Sequence, residues 1–446
     1  MPHLLLTIAL TAFSAAPQIE NGTLLTFRGS MIAAKGDPVN TRKSFDLTIV
    51  VSDPTDVGAT LFWTVKEEGR GSWPWPSSFD RWRVDGTWSG NGENGPSLLY
   101  DRLEALSVVR VVAPLLTPAK DPAKGVAWEQ GGLRHQVTGS GKVQGVNSWT
   151  IDASNRFGHK RTLSLDKSSS VILAMKEIVF IGQGERHYVE LELTGRTQMD
   201  AASLATFIET FERLETLRNK LGVEPQSKRV DWKDKQVATL KEELPPISVL
   251  AANGPLADVV KAALLDANDQ KNRNVTIAAM EKQILGKKPA DFAMESLTGK
   301  SVGPKDLKGS VAVLHFWQYR DKPLEEPYGQ VGYLDFLSRS AGESVKVYGV
   351  TVDSRLSDTS TRRQAIQAAK RIKSFMNLSY PVLLDSGKVI RSFGDPRLAG
   401  AKLPLFVVVG KDGAVLHYHA GFYEVDRDRG LKELDEVVKT ALKTSG

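Results

Sequence analysis

The sequence predicts a multidomain α+β protein: an antiparallel β-rich N-terminal domain, a helical connector and a C-terminal α/β domain with a central mixed sheet. Three observations predict this fold class. The chain has 446 residues, of which 41% are hydrophobic, enough to build two or three domain cores. The first half alternates short β-rich segments with turns, and helical periodicity begins near Asp200. In the last third, strand-like runs alternate with helical runs, a pattern typical of parallel strand pairs.

The charge of the chain argues against a nucleic-acid partner. The net charge is +6 at pH 7, from 58 basic and 52 acidic residues. These residues are spread along the chain, whereas a nucleic-acid surface needs clustered Lys and Arg. No apolar stretch is long enough to span a bilayer as a helix. We therefore expect no nucleic acid as a partner and no transmembrane segment.

The N-terminus is typical of a secretory signal peptide. An apolar run from Leu4 to Phe13 ends in small residues, of which Ala16 is the last. The residues before the run include no Lys or Arg, and cleavage after Ser14 is an alternative to cleavage after Ala16. We expect residues 1–16 to be removed and the mature protein to be exported, to the periplasm or outside the cell.

Residues 17–199 are predicted to form the β-rich domain, whose ligand the sequence does not reveal. Short runs of β-branched and aromatic residues alternate with glycine-containing turns, and the last three runs indicate an antiparallel meander. The predicted strands are Phe45–Val51, Ala59–Val65, Ser148–Ile151, Thr162–Leu165, Val171–Ile181 and His187–Leu193.

Tryptophans cluster in one part of this domain. The five members of the cluster are Trp63, Trp73, Trp75, Trp82 and Trp88. Exposed indoles on loops can stack on sugar rings or capture a partner, which makes Trp73, Trp75 and Trp82 a candidate binding surface. Indoles also fill the cores of β domains when the ring N–H finds a partner, and we favour that interpretation.

Residues 200–285 are predicted to be a helical connector. An apolar face recurs from Leu204 to Leu221, and Gly222 is a stop signal. Three further helices are predicted at Asp234–Leu244, Ala257–Asp269 and Val275–Leu285, the first of them ended by Pro245-Pro246. The first helix could be a dimerisation seam, but its heptads are short, and we favour packing on its own domain.

The stretch from Val311 to Pro327, VAVLHFWQYRDKPLEEP, organises the rest of the chain. Its first half reads as a buried strand. Its second half reads as a helix start, with Asp321 or Lys322 at the cap and Pro323 in the first turn, where N–H groups lack intrahelical partners. Two glutamates follow, and the positive end of the helix dipole favours acidic residues there.

This stretch resembles the active-site segment of the TlpA-type thiol–disulfide oxidoreductases of the thioredoxin-like superfamily, which read F-W-x-x-W-C-x-P-C-x-x-E-x-P or similar. The residues that match or nearly match are Phe316, Trp317, Pro323, Glu326 and Pro327. The resemblance puts the two cysteine positions at Asp321 and Leu324. The redox-site positions that it implies are therefore Trp317, Asp321, Lys322, Pro323, Leu324 and Glu326.

Further motifs extend the resemblance over residues 286–446, about a third of the chain. The segment from Gly286 to Phe292 is similar to the G-x-x-A-P-D-F opening of the family. Leu403-Pro404 stands where the family carries a cis-proline beside the active site, so the resemblance implies a groove there for an extended substrate. Lys411-Asp412-Gly413 indicates a hairpin turn. The resemblance thus implies a thioredoxin-like domain of the redoxin or AhpC/TSA kind.

The catalytic thiols of that family are missing. The chain contains no cysteine, and thiol–disulfide exchange needs a thiolate as the attacking group. An alternative alignment to peroxiredoxins places Glu325 or a neighbour at the peroxidatic cysteine, with the same result. The sequence therefore excludes thiol-dependent redox catalysis by its own residues, and no catalytic residue is predicted.

Other chemistry near these positions has an ordinary structural interpretation that we favour. Asp321 with the two following glutamates could hold a cation, but acidic residues at a helix start are usual. His417 and His419 lie two apart on a predicted strand, so both rings point to one face, yet the sequence shows no further ligand at suitable spacing. We predict that these two histidines and His315 are structural or surface residues, with no metal and no cofactor.

The sequence thus favours an exported, non-catalytic thioredoxin-like protein that binds or scaffolds in the cell envelope. Its expected partner is an envelope protein or a peptide, held in the groove between Asp321, Leu324 and Pro404. Two alternatives stay open. One is an oxidoreductase that uses cysteines of a partner, and the other is an enzyme that uses a carboxylate or metal site.

Overall fold

The computed structural model describes residues 19–34, 42–55, 58–85, 95–102, 105–169, 171–182, 184–319, 328–426, 428 and 430–444. The expected signal peptide and Trp88 lie outside these residues. Contacts divide the chain into two compact units, with the boundary between Ala267 and Asn268. Within the described residues, no helix is both long enough and apolar enough to cross a membrane.

The first unit is built on a large antiparallel sheet. Among the described residues, ten strands pair in the order β4-β3-β2-β1-β12-β11-β10-β9-β8-β7, and β5 pairs with β6 in a separate hairpin. The strands are β1 Thr23–Ala33, β2 Arg42–Thr55, β3 Gly58–Glu68, β4 Phe79–Asp85, β5 Ser97–Arg102, β6 Ala105–Arg110, β7 Ala127–Gln130, β8 Leu133–Val143, β9 Val146–Asn155, β10 Gly158–Asp166, β11 Ile172–Ile181 and β12 Glu185–Gln198. The antiparallel β-rich domain is confirmed, as is the meander of its last three strands.

The four described tryptophans of the predicted cluster, Trp63, Trp73, Trp75 and Trp82, lie in hydrophobic cores. Trp73, Trp75 and Trp82 are at most 6% exposed. Nε1 of Trp73 donates to the backbone carbonyl of Ser97 at 2.8 Å, so this indole has the polar partner that burial requires. The three indoles considered as a candidate binding surface are therefore not exposed, because their large apolar rings are stabilised by core packing. The core interpretation agrees with this burial.

A buried ion pair fixes a loop of the first unit. The side chains of Lys43 and Glu67 are 0% and 1% exposed, and Nζ lies 3.0 Å from Oε1. The Glu67 carboxylate also accepts the backbone N–H groups of Trp73 and Leu99, and Lys43 donates to the carbonyl of Gly71. These hydrogen bonds replace the solvation that the two charges lose on burial. The ion pair therefore anchors the loop after β3.

Three helices follow the first sheet: α1 Ala201–Lys220, α2 Asp234–Ala251 and α3 Ala257–Ile284. The side chain of Asp200 caps α1 by accepting the N–H of Ser203. Aromatic and aliphatic side chains of α1 pack on strands of the sheet, for example Phe211 against Phe62 and Phe79. The first two helices therefore cover the sheet, as predicted for a helix that packs on its own domain.

Two helix boundaries predicted from the sequence are wrong. Helix α2 continues through Pro245 and Pro246 instead of ending before them. A proline inside a helix costs about 3 kcal/mol, and burial of Leu244 and Ile247 on either side offsets that cost. The two predicted helices between Ala257 and Leu285 are the single helix α3, because no residue between them breaks the hydrogen-bond ladder.

The second unit contains the mixed sheet. Among the described residues, seven strands pair in the order β14-β13-β17-β16-β15-β18-β19, with β15, β16 and β17 parallel to one another and the other pairs antiparallel. The strands are β13 Met294–Ser296, β14 Ser301–Val302, β15 Val311–Trp317, β16 Val345–Val352, β17 Val382–Asp385, β18 Leu405–Val409 and β19 Val415–Ala420. The helices are α4 Pro304–Leu307, α5 Tyr328–Ser340, α6 Thr359–Phe375, α7 Val389–Ser392 and α8 Lys432–Thr444.

Both faces of the mixed sheet are covered. Side chains of α5, α6 and α8 pack on the face that carries Val313, and those of α4 and α7 pack on the face that carries Leu314. Every residue of β15 is buried. The predicted buried strand and the hairpin at Asp412-Gly413 are both present. Strand β15 lies inside the sheet, so its end is flanked by β16 on one side and β18 on the other.

Candidate functional site

The candidate site lies where β15 ends. Trp317 is the last residue of β15, and α5 begins at Tyr328. The remaining predicted redox-site positions, Asp321, Lys322, Pro323, Leu324 and Glu326, lie outside the described residues, so their arrangement stays a prediction. The described part of the site consists of the end of β15, the strands beside it and the segment before β18.

The segment before β18 contains a cis peptide bond, between Leu403 and Pro404. The carbonyl of Pro404 accepts the N–H of Gly421 at 2.8 Å, and Leu405 pairs with Phe316 of β15. Leu403 packs its side chain against the core. Among the described residues, none forms a hydrogen bond with the backbone N–H or carbonyl of Leu403. The backbone N–H and carbonyl of Leu403 therefore have no partner within the described part of the chain.

Trp317 packs against neighbouring residues at the candidate site. It is 9% exposed and lies over Gly349 of β16. A Cβ on Gly349 would lie 3.2 Å from Nε1 of Trp317 and 2.8 Å from Cε2 of Tyr380, so only glycine leaves room for the two rings. In the described part of the chain, Nε1 of Trp317 and the hydroxyl of Tyr380 have no hydrogen-bond partner. Burial raises the pKa of Tyr380, which keeps its hydroxyl neutral.

A row of rings crosses the sheet at His315, two residues before Trp317. His315 on β15 pairs with Phe406 on β18, and Phe406 pairs with His419 on β19. The rings of His315 and Phe406 are stacked, with centroids 4.5 Å apart and planes 12° apart. Burial lowers the pKa of His315 to about 3, so its imidazole is neutral at physiological pH. His315 is structural, as predicted.

Tyr423 covers the far end of this row. Its ring stacks on His419 with centroids 3.9 Å apart, and its hydroxyl lies 2.9 Å from Nε2 of His417. Gln330, which is 1% exposed, donates to the carbonyl of Tyr423 at 2.9 Å. Gln330 lies on α5, so the helix next to the candidate site holds the loop that positions both histidines.

His417 and His419 point to one face, as their spacing predicts, and a carboxylate joins them. One ligand atom each of His417, His419 and Glu433 lies within 4.8 Å of the others. Burial and the neighbouring His419 lower the pKa of His417, while the carboxylates of Glu433 and Glu281 oppose that shift. This group is the one set of described side chains with the composition of a metal site.

Gln330, Tyr423 and Glu433 were not found from the sequence. Tyr423 follows β19 by three residues, and Glu433 belongs to the first turn of α8. Neither residue lies on the same strand or helix as the histidines, so no periodic spacing in the sequence links it to them. Only the path of the loop between β19 and α8 brings these side chains together, and no local signal encodes that path.

Comparison with known proteins finds a family match within the second unit. The AhpC/TSA family model matches residues 285–418. Thiol-disulfide oxidoreductase ResA of Bacillus thuringiensis is 28% identical over 148 residues, which are 32% of this chain and 74% of that protein. ResA of Bacillus cereus is 29% identical over 142 residues, 31% of this chain and 71% of that protein. The C-terminal domain is a thioredoxin-like redoxin.

Solved structures are similar over the same region. A putative thiol:disulfide interchange protein DsbE from Chlorobium tepidum is 25% identical, with a TM-score of 0.27, and the match covers 35% of this chain and 97% of that one. The exposed lipoprotein thioredoxin Etrx1 of Streptococcus pneumoniae is 22% identical, with a TM-score of 0.26, over 35% of this chain and 99% of that one. This chain contains no cysteine, so it lacks the thiol that thiol–disulfide exchange requires.

Proposed function

We propose that this protein is exported and non-catalytic, and that its redoxin domain binds an extended peptide segment of an envelope protein at Leu403. The observation that carries the proposal is the backbone of Leu403, which has no hydrogen-bond partner among the described residues, in a chain that contains no cysteine. The apolar run at the N-terminus supports export.

Backbone geometry supports peptide binding at this position. A segment that lies alongside Leu403 in extended form can accept its N–H and donate to its carbonyl, as strands do when they add to a sheet edge. Such binding needs no thiol, because the main-chain hydrogen bonds supply affinity and neighbouring side chains supply selectivity. The redoxin domain can therefore lose its redox chemistry and keep a groove for extended chains.

The names of the relatives support a second candidate, a thiol–disulfide oxidoreductase. No residue of this chain can form the mixed disulfide that such exchange requires. Activity would then depend on cysteines of a partner. Purified protein tested alone for reduction of insulin disulfides and of hydrogen peroxide should give no turnover above buffer. Reproducible turnover at either substrate would overturn the non-catalytic assignment.

The binding proposal is tested with a defined probe. A displayed library of 12-residue peptides is selected on the immobilised full-length protein, and the affinity of one selected peptide is measured by fluorescence anisotropy. Leu403→Arg replaces the half-buried apolar side chain beside the proposed groove with a longer, charged one and should weaken binding at least tenfold. The control is Phe375→Arg, at a position that is 76% exposed on α6.

The outcomes separate a groove from an unrelated surface. Loss of affinity in Leu403→Arg with unchanged affinity in Phe375→Arg supports the proposal. Equal affinity of the wild type and Leu403→Arg would contradict it. Thermal unfolding of both variants shows whether either change has disturbed the fold.

A further inference from the structure

Three side chains of the types that can bind metal ions meet beside the outer strand of the redoxin sheet. His417 and His419 lie two apart on β19, and their ring planes are 11° apart with centroids separated by 6.2 Å. Glu433 reaches the same point from the first turn of α8. One ligand atom of each lies within 4.8 Å of the other two. Two residues of one strand and one residue of a helix therefore converge.

The spacing suits an ion better than a direct bond. Nδ1 of His419 lies 3.9 Å from Oε1 of Glu433, beyond the reach of a good hydrogen bond. Two ligands bound to Zn²⁺ at about 2.1 Å each and at a tetrahedral angle lie about 3.4 Å apart. The Glu433 side chain is 59% exposed, so rotation can shorten the remaining separations without disturbing the core.

We propose that His417, His419 and Glu433 form a site for one divalent transition-metal ion, Zn²⁺ in the first instance. Two imidazoles and one carboxylate are a ligand set that Zn²⁺ takes when three protein ligands leave a fourth position for water or another donor. The metal site does not require that the groove at Leu403 bind peptide.

The histidines are already held in place by neighbouring residues. The Tyr423 hydroxyl bonds Nε2 of His417 at 2.9 Å, and the Tyr423 ring stacks on His419. Gln330 is almost fully buried and fixes the backbone of Tyr423 from α5. Such partners orient metal-binding imidazoles and restrict their rotation. Tyr423 is thus a positioning residue for the site.

The local charge also favours a cation. The carboxylates of Glu433 and Glu281 both place negative charge near His417. Imidazoles beside carboxylates give a site that attracts a divalent ion.

The test is Zn²⁺ binding by the full-length protein, purified without a histidine tag and stripped with a chelator. Isothermal titration with ZnCl₂ and metal analysis after dialysis should give one Zn²⁺ per chain. His419→Ala and Glu433→Gln should each weaken binding at least tenfold. Tyr423→Phe keeps the ring but removes the hydroxyl, and it should weaken binding about tenfold with unchanged stoichiometry.

Matched controls make the result decisive. Glu436→Gln changes an exposed carboxylate farther along α8, and His159→Ala changes an exposed histidine of β10. Both should bind Zn²⁺ as the wild type does. Co²⁺ titration gives a second readout, because a four-coordinate site produces visible absorption that Glu433→Gln should reduce.

Several results would overturn the proposal. Absence of stoichiometric Zn²⁺ in the wild type would do so, as would equal binding by the wild type and His419→Ala. Equal binding by the wild type and Glu433→Gln would remove Glu433 from the site. Because Glu433 is exposed, its substitution tests the site even where a histidine variant fails to fold.

Discussion

Protonation of His315 should make the stability of the redoxin domain depend on pH. The folded state holds this imidazole at a pKa of about 3, because it is fully buried, whereas in an unfolded chain the imidazole has its ordinary pKa of 6.5. The unfolded state therefore binds the proton more readily. The stability contributed by neutral His315 is complete above about pH 6.5 and is lost as pH falls from there towards pH 3.

The magnitude follows from the two pKa values. At pH 5.0 the imidazole of the unfolded chain is about 97% protonated, and the free energy of unfolding is lower by about 2 kcal/mol than at pH 7.5. His315→Phe removes the titrating group and keeps a flat ring against Phe406. The variant should therefore lose about 2 kcal/mol less than the wild type between pH 7.5 and pH 5.0, whatever other groups titrate in both proteins.

The assay must report on the redoxin domain alone. Trp317 is the one tryptophan between residues 268 and 446, so the ¹⁹F resonance of 5-fluorotryptophan at this position follows that domain during urea titration. Trp317→Phe assigns the resonance. Equal pH-dependent losses in the wild type and in His315→Phe would refute the assignment of His315 as a buried neutral imidazole.

Three further changes test the packing and the ion pairs by denaturant titration. Gly349→Ala should cost about 1–3 kcal/mol, because the new methyl group would lie 2.8 Å from Cε2 of Tyr380; an unchanged free energy of unfolding would contradict this packing. Lys43→Met should cost about 3–5 kcal/mol by leaving Glu67 charged and buried. The double variant with Glu67→Gln should recover much of that loss, and no recovery would argue against the pair. Asp385→Ala should cost about 0.5–2 kcal/mol and speed hydrogen exchange in α7, because Asp385 accepts four backbone N–H groups there.

Much of the redoxin domain could be predicted from local sequence. The runs Val311–Trp317 and Val345–Val352 are apolar along their whole length, as strands covered on both faces must be. The Asp412-Gly413 turn gives Gly413 a φ of 86°, which glycine adopts without strain. These signals depend only on neighbouring residues, and so they were readable.

Features that depend on distant contacts were not readable. Helix α2 runs through Pro245 because buried residues on both sides stabilise it, and propensity alone predicts a break there. The exposure of Trp73 could not be decided, since the same residue type serves cores and surfaces. The position of Glu433 beside the histidines depends on how α8 packs on the sheet, so the three-residue cluster was missed.

The proposed groove is tested most directly by photo-crosslinking at Leu403. Benzoylphenylalanine is placed at position 403 of the full-length protein, and at the exposed position 375 as a control. The selected peptide is added and irradiated, and the crosslinked residues are identified by mass spectrometry. We expect the peptide to crosslink at 403, with unlabelled peptide competing, and not at 375. Crosslinking at 375 alone, or at neither position while the peptide still binds, would contradict a peptide-binding groove at Leu403.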